Sequence, residues 1–343
     1  MKKCKIAVIG TGNIANGIHI PVLKELENAE IVAVCDINPK RAEETAEKFG
    51  IAKVYTLYGE MLKSEDIDAV FILTQPDALF KITLECLNYG KHVFMEKPMG
   101  ITVFQANTLR EAAVRNKKLL HAGFNRRYIP LVVEIVSHMR KLTKINQVSG
   151  YFYKNSSVGF SSGGASAFTC DVLHVVDLVR HIAIGSEKLD VSHVSTLETV
   201  NPETGTAEAW HSTMRFGNGV DGIIGANYNS GGRVHKFEIH GTGASAYIDL
   251  GFGDAACSGK ILCDGKSFSI ISDATKNEKI QEYDGLAIAG SDRYENYYGY
   301  RDENILFINK VLENPTETDI IRVNEDYSSM KLGEIILDAR KRK

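Results

Sequence analysis

AVIGTGNIA, residues 7–15, continues an apolar run that starts at Lys5 and opens a helix near Ile14. The expected structure is a buried strand, Lys5 to Ile9, feeding a glycine turn, because Gly10, Gly12 and Ala15 fill the pattern G-x-G-x-x-A. Gly10 permits the tight turn, Gly12 lets the backbone approach a pyrophosphate, and Ala15 lets the helix pack closely on the strand. The free amides at the helix start, at Asn13 and Ile14, then face phosphate oxygens. Asp36 ends the next apolar strand, EIVAVC (30–35), about 20 residues past the turn, where a carboxylate accepts hydrogen bonds from a ribose diol. Small residues also fill ordinary strand-to-helix turns; the acidic partner at this distance is what points to a dinucleotide. The charge on Asp36 favours NAD, since it repels the 2′-phosphate of NADP. Lys40 and Arg41 lie just beyond it and read first as solvated helix residues, but such cations soften the preference where they reach the ribose, so NADP is not excluded.

Outward from this turn, strand and helix patterns alternate to about residue 122. Asn38 caps a helix with Pro39 in its first position and Gly50 after its end; AVFIL (69–73) is a buried strand; Asp77 to Asn88 is a helix closed by Gly90. HVFM (92–95) and LLHA (119–122) are two more strands, joined by a helix from Val103 to Asn116. Such alternation implies a doubly wound parallel sheet with its ligand at the carboxyl ends of the strands. Thr74, Gln75, Glu96, Lys97, Pro98 and Asn125 all follow strands on that edge and join the expected cofactor contacts. Beyond this region come helices near Ile129–Lys141 and from Asp171, then alternating runs at 206–216, 220–229, 233–240 and 244–250, which read as antiparallel strands with a hairpin at GNG (217–219). Met330, Leu332, Ile335, Ile336 and Leu337 line a closing amphipathic helix. A chain of 343 residues exceeds what one core usually holds, so two domains are expected: 1–122, a Rossmann domain, and 123–343, an α/β domain with a largely antiparallel open sheet.

Composition removes several function classes. A net charge of -3 gives no bias toward nucleic acid or an anionic membrane, and no apolar run reaches the roughly 20 residues of a membrane span. The basic run Arg340–Lys343 reads as cations complementing a helix C-terminus. MKKCKIAVIG enters the first strand without the apolar stretch of an export signal, and six scattered cysteines form no CxxC pair, so a reducing cytoplasm is expected.

Two constellations carry chemistry. Lys97 in EKP (96–98) sits on the cofactor edge, where partial desolvation and a cationic nicotinamide destabilise its ammonium form and suit it to proton transfer. A surface lysine anchored by Glu96 is the plainer reading of the same tripeptide. Pro98 restricts Lys97 to extended geometry and admits a cis bond. In DVLHVVDLVRH (171–181), Asp171, His174, Asp177 and His181 form one helix side and Val172, Val175, Val176 and Val179 the other. A surface pair or a helix-start carboxylate is the plain reading there. His174, Asp177 and His181 lack a supporting cluster, so no metal is expected.

GTGNIA, Asp36, EKP, GFNRRYIP (123–130) and HVVD (174–177), in this order, resemble the Gfo/Idh/MocA oxidoreductases over the whole chain, with GFNRR and SVG (157–159) most similar to the MviM-like branch. The resemblance implies that Lys97 contacts the reacting hydroxyl and the nicotinamide ribose, and that His174 acts as acid/base. It also implies an open sheet that forms oligomer interfaces, hence a homodimer or homotetramer. In many members an aspartate stands four residues before the histidine; here that position is Cys170, and Asp171 lies three before. The expected activity is hydride transfer between NAD and a secondary alcohol or ketone of a sugar, cyclitol or related polyol, with Lys97, His174 and Asp171 catalytic. Arg126, Tyr153 and Asn155 are added as substrate contacts, with Ser156 and Ser157 beside them, although a surface loop is the simpler account of 153–157, and Arg127 is equally an ion-pair partner. A silent NAD-binding sensor of the same fold is the alternative, motivated by Cys170.

Overall fold

Ile6, Ala7 and Val8 are wholly buried, as are Val70, Phe71 and Ile72, so both faces of these short runs are covered; this is the condition under which strands pair in parallel. The computed structural model describes residues 2–155, 163–252, 256–263 and 280–342. Its first sheet contains β1 (Cys4–Ile9), β2 (Ala29–Cys35), β3 (Lys53–Tyr55), β4 (Ala69–Ile72), β5 (His92–Met95) and β6 (Leu120–Ala122). Every pairing is parallel and the order is β3-β2-β1-β4-β5-β6. The order reverses between β1 and β4, which opens a crevice outside their carboxyl ends. Helix ends follow the expected chemistry. The Asn38 side chain accepts from the Arg41 amide at 3.3 Å, and Gly50 closes the same helix at φ 63°.

Among the described residues the second sheet has nine strands: β7 (Ile145–Asn155), β8 (Val191–Val200), β9 (Ala207–Phe216), β10 (Asp221–Asn227), β11 (Asn229–Gly241), β12 (Ala244–Asp249), β13 (Ser258–Cys263), β14 (Ile280–Asp284) and β15 (Arg340–Arg342). Its order is β14-β13-β12-β11-β7-β10-β9-β8-β15. The alternating runs are strands and GNG turns β9 into β10, but β10 lies parallel to β7, so antiparallel pairing is general and not universal. Helix Leu173–Ile184 packs on β7 at Gly150, where a Cβ would fall 2.5 Å from Val175 and 2.9 Å from Val179.

The chain forms two compact units, but not by one division at 122/123. The first comprises Met1–Asn125, Ser161–Cys170 and Tyr300–Lys331; the second comprises Arg126–Phe160, Asp171–Gly299 and Leu332–Lys343. Burial explains the return: Phe307, Ile308 and Val311, from helix Tyr300–Leu312, join the core built by β1, β2 and β4. Among the described residues no helix is long and apolar enough to cross a membrane.

Two expectations need correction. Helix Leu173–Ile184 is not half-solvated: His174, Asp177 and Arg180 are as buried as its valines. Its polar side is consumed internally, because the Arg127 Nε donates to both Asp177 oxygens at 3.1 and 2.9 Å and Nη2 also donates to Asp177. The terminal basic run does not end a helix but continues as β15, parallel to β8. Arg340 serves both roles, donating to the Leu337 carbonyl in the last helical turn and, at 3.0 Å, to the buried Glu198. Removing one member of the Arg127–Asp177 pair leaves an unpaired buried charge. Asp177→Ala should therefore lower unfolding free energy by about 3–5 kcal/mol in urea denaturation, against under about 1 kcal/mol for Asp221→Ala, which breaks a solvent-facing pair with Arg215.

Candidate functional site

The glycine turn is held from three sides. Gly10 adopts φ +90°, its amide donates to the Cys35 carbonyl at 2.8 Å, and an added Cβ would lie 2.6 Å from the Leu73 carbonyl oxygen. Gly12 has open space where its Cβ would be, and Ala15 is fully buried beneath the π-helical turn Ala15–His19. These are the three conditions the motif requires: a strained turn, an exposed backbone and a close helix contact. Asn13 is exposed at the helix start and Ile14 packs against the core. Thr74 and Gln75 follow β4, with the Thr74 methyl 2.9 Å from the Gly10 Cβ position.

Asp36 does more than the spacing implied. Its Oδ2 accepts from the Thr11 amide at 2.8 Å and hydroxyl at 3.0 Å, and Oδ1 accepts from the Asn38 amide at 2.9 Å. A carboxylate offers about four acceptor sites, so about one remains for a ribose hydroxyl. The sequence reading passed over Thr11, whose only signal was its place between the two glycines. Lys40 and Arg41 are exposed, and Lys40 faces Glu44 at 3.8 Å. The turn, its open backbone and the acid at β2 together fit a dinucleotide.

Glu96, Lys97 and Pro98 leave β5 on the same carboxyl edge of this parallel sheet. The Lys97–Pro98 peptide is cis. The Glu96 carboxylate does not hold the Lys97 ammonium. Its Oε2 accepts from the Lys97 amide at 3.2 Å, while Oε1 meets the His19 Nε2 at 3.1 Å. His19 Nδ1 meets Asn304 Oδ1 at 3.2 Å, so a buried polar chain runs beneath EKP. Burial opposes ionisation of Glu96, but the His19 hydrogen bond and charge, with Lys97, outweigh it and hold the carboxyl below its usual range. The half-buried Lys97 reaches instead to the Cys170 carbonyl at 2.6 Å. Cys170 itself is buried and its thiol donates to the Ala165 carbonyl at 3.5 Å. Asn125, fully buried, ends the first stretch of this unit.

A π-helical turn, Phe168–Val172, precedes helix Leu173–Ile184, which belongs to the second unit together with Asp171. Asp171 does not cap the helix: it accepts from Lys154 and, at 2.8 Å, from the Tyr228 hydroxyl. His174 follows within the same buried segment. Lys154 and Tyr228 were missed, although the period of two along β7 was the available signal. Gly150 and Phe152 face the helix side, with the Phe152 ring 4.7 Å from the Lys154 ammonium, so Lys154 lies on that side too. The same pleat puts Tyr153 and Asn155 on the opposite face. They therefore do not share the face of Lys154, and Tyr153 lies against Gly225. Ser156, Ser157 and the segment 157–159 lie outside the described residues. Arg126 is buried, 5.3 Å from the Phe152 ring and 5.4 Å from Tyr298.

A parallel sheet with a glycine turn at its switch point defines a dinucleotide-binding class, and comparison with known proteins narrows it. Residues 4–124 match the Gfo/Idh/MocA model, an oxidoreductase family with an NAD-binding Rossmann fold. The chain is similar to the myo-inositol 2-dehydrogenase of Thermotoga maritima, 32% identical over 124 residues, which is 36% of this chain and 37% of that protein's length. It is similar to the uncharacterised oxidoreductase YrbE of Bacillus subtilis, 27% identical over 262 residues, covering 72% of this chain and 74% of that protein. Its fold matches the crystal structure of the dehydrogenase MviM from Clostridium difficile with a TM-score of 0.78 and 21% identity, over 98% of this chain and 100% of that one.

Because the Glu96 pKa is depressed in the folded state, its ionisation adds stability above the unfolded value of 4.5, and this is lost as pH falls through the folded pKa. Urea unfolding measured from pH 6 down to about pH 3 should show a shallower acid loss for Glu96→Gln than for the native chain.

Proposed function

We propose that the whole chain belongs to the Gfo/Idh/MocA oxidoreductases and interconverts a secondary alcohol and a ketone on a sugar, cyclitol or related polyol. The observation that carries this reading is the placement of EKP at the carboxyl end of β5, in the same parallel sheet whose β1 and β2 end in the glycine turn and Asp36. The similarity of the N-terminal 124-residue match to a myo-inositol 2-dehydrogenase supports the substrate class.

A bound nicotinamide supplies the hydride acceptor or donor. The residues of the chain then position the substrate and handle one proton. With hydride chemistry supplied by that group, the imidazole of His174 would take the hydroxyl proton in the oxidative direction and return it in reduction. Lys97 donates to the reacting oxygen, as its ammonium now donates to the Cys170 carbonyl at 2.6 Å. Asp171 is held by Lys154 and Tyr228 and acts as an acceptor for the substrate-side proton network. NAD is the preferred cofactor: Asp36, already bound three times, would meet a 2′-phosphate as a fixed negative charge. Cys170 in place of a carboxylate supports a second reading, an NAD-binding sensor without turnover.

Assays of NADH formation across a polyol panel that includes myo-inositol separate the two. Lys97→Ala and His174→Ala should each lower kcat/KM by about 10²–10⁴ with NADH binding, read by fluorescence, near native. Saturable NADH binding with no turnover on any polyol supports the sensor instead. Tighter binding of NADPH than NADH by the native chain overturns the cofactor preference.

A further inference from the structure

His19 closes the π-helical turn that follows the glycine turn, and it is wholly buried. Both of its ring nitrogens face oxygen atoms within the first unit: Nδ1 lies 3.2 Å from Oδ1 of Asn304, on helix Tyr300–Leu312, and Nε2 lies 3.1 Å from Oε1 of Glu96. A neutral imidazole has one donor and one acceptor, so a ring that donates from both nitrogens is protonated. The orientation of the Asn304 amide decides the second proton. With Oδ1 on the ring, the amide Nδ2 is buried without a hydrogen-bond partner. Reversing the amide would orphan its oxygen instead and leave the ring neutral, and among the described residues His19 is the one basic group within ion-pair distance of Glu96. An unpaired buried charge costs more than an unpaired amide, so the carboxylate selects the protonated ring.

The consequence falls on Lys97. Glu96 is its neighbour in the chain and already accepts from its amide at 3.2 Å, so the carboxylate stands beside the ammonium that it would attract most strongly. The ammonium donates instead to a neutral acceptor, the Cys170 carbonyl, at 2.6 Å. Burial opposes ionisation of Glu96, yet the hydrogen bond and charge of His19, ahead of the charge of Lys97, bring its pKa below the usual carboxyl value. The rings of Phe94, Tyr300 and Phe71 pack around the imidazole with centroids 5.2, 5.8 and 6.0 Å away, which leaves it little room to turn from Glu96.

We propose that His19 is a positioning residue for Lys97: as an imidazolium fixed by Asn304 it holds the Glu96 carboxylate, which would otherwise draw the Lys97 ammonium away from the reacting oxygen. The use made of Lys97 rests on the dehydrogenase reading, whereas the charged His19–Glu96 pair stands without it. One side chain thereby joins the helix that opens from the glycine turn to EKP, and a helix from late in the chain sets its orientation.

Proton–nitrogen correlation spectra of the full chain labelled in histidine, recorded at pH 7, read the two ring nitrogens directly. The His19 signals are those lost in His19→Gln or, where that variant does not fold, those shifted in Asn304→Ser. Two protonated nitrogens are expected, and a ring with one overturns the assignment. A crystal structure of His19→Gln should show the Lys97 ammonium transferred from the Cys170 carbonyl to the Glu96 carboxylate; an unmoved Lys97 overturns the positioning role. On whichever polyol the native chain oxidises, His19→Gln should lower kcat by about tenfold or more with NADH binding near native, and adding Glu96→Gln should recover at least about threefold of that loss. A double variant no faster than His19→Gln also overturns the role, because lost packing is not relieved by a second substitution, whereas removal of the competing carboxylate relieves a captured lysine. A protonated His19 and a captured Lys97 without native turnover on any polyol leave the pair standing and count against the dehydrogenase reading. Native turnover with a neutral His19 does the reverse.

Discussion

Gly10 is the point on which the first unit turns. Its positive φ directs the chain away from β1, its amide is tied to the end of β2, and the Leu73 carbonyl after β4 occupies the space a side chain would need. One residue thus sets the distance between three strand ends. Thr11 follows at once and locks onto Asp36, so the acid that would read a ribose also fixes the loop that would cradle a pyrophosphate. Loop and acid are one hydrogen-bonded device, and a change at Asp36 acts on both.

A second buried polar chain supports the chemistry side of the same sheet. Asn304, His19 and Glu96 connect three segments far apart in sequence, and the last of them binds the backbone of Lys97. Leaving any of these groups unpaired in the core would cost more than the individual bonds contribute, which gives the arrangement its rigidity. Lys97 is consequently oriented by its main chain, and its ammonium stays available for contacts such as the Cys170 carbonyl.

In the second unit the polar side chains of helix Leu173–Ile184 are likewise turned inward. Asp177 is consumed by Arg127, and Asp171, six residues earlier in the turn before the helix, is held by Lys154 and Tyr228. The two carboxylates do not share a task. One binds Arg127 as a structural pair, and the other meets a lysine and a phenol.

Local sequence was sufficient wherever a backbone rule decides the outcome. The glycine turn, the acid at the end of β2, the caps at Asn38 and Gly50, and EKP after β5 were all legible because each depends on neighbours within a few residues. The parallel sheet followed from the alternation of strand and helix patterns. Tertiary structure alone decided what each polar group meets. The heptad-like polar stripe of 171–181 is equally compatible with water or with Arg127, and only packing on β7 and β10 removed the water. Lys154 and Tyr153 are adjacent in sequence, yet the pleat sends them to opposite faces. Their roles could be separated only once the side covered by the helix was known. Periodicity determines which residues share a face, and long-range packing determines what that face touches.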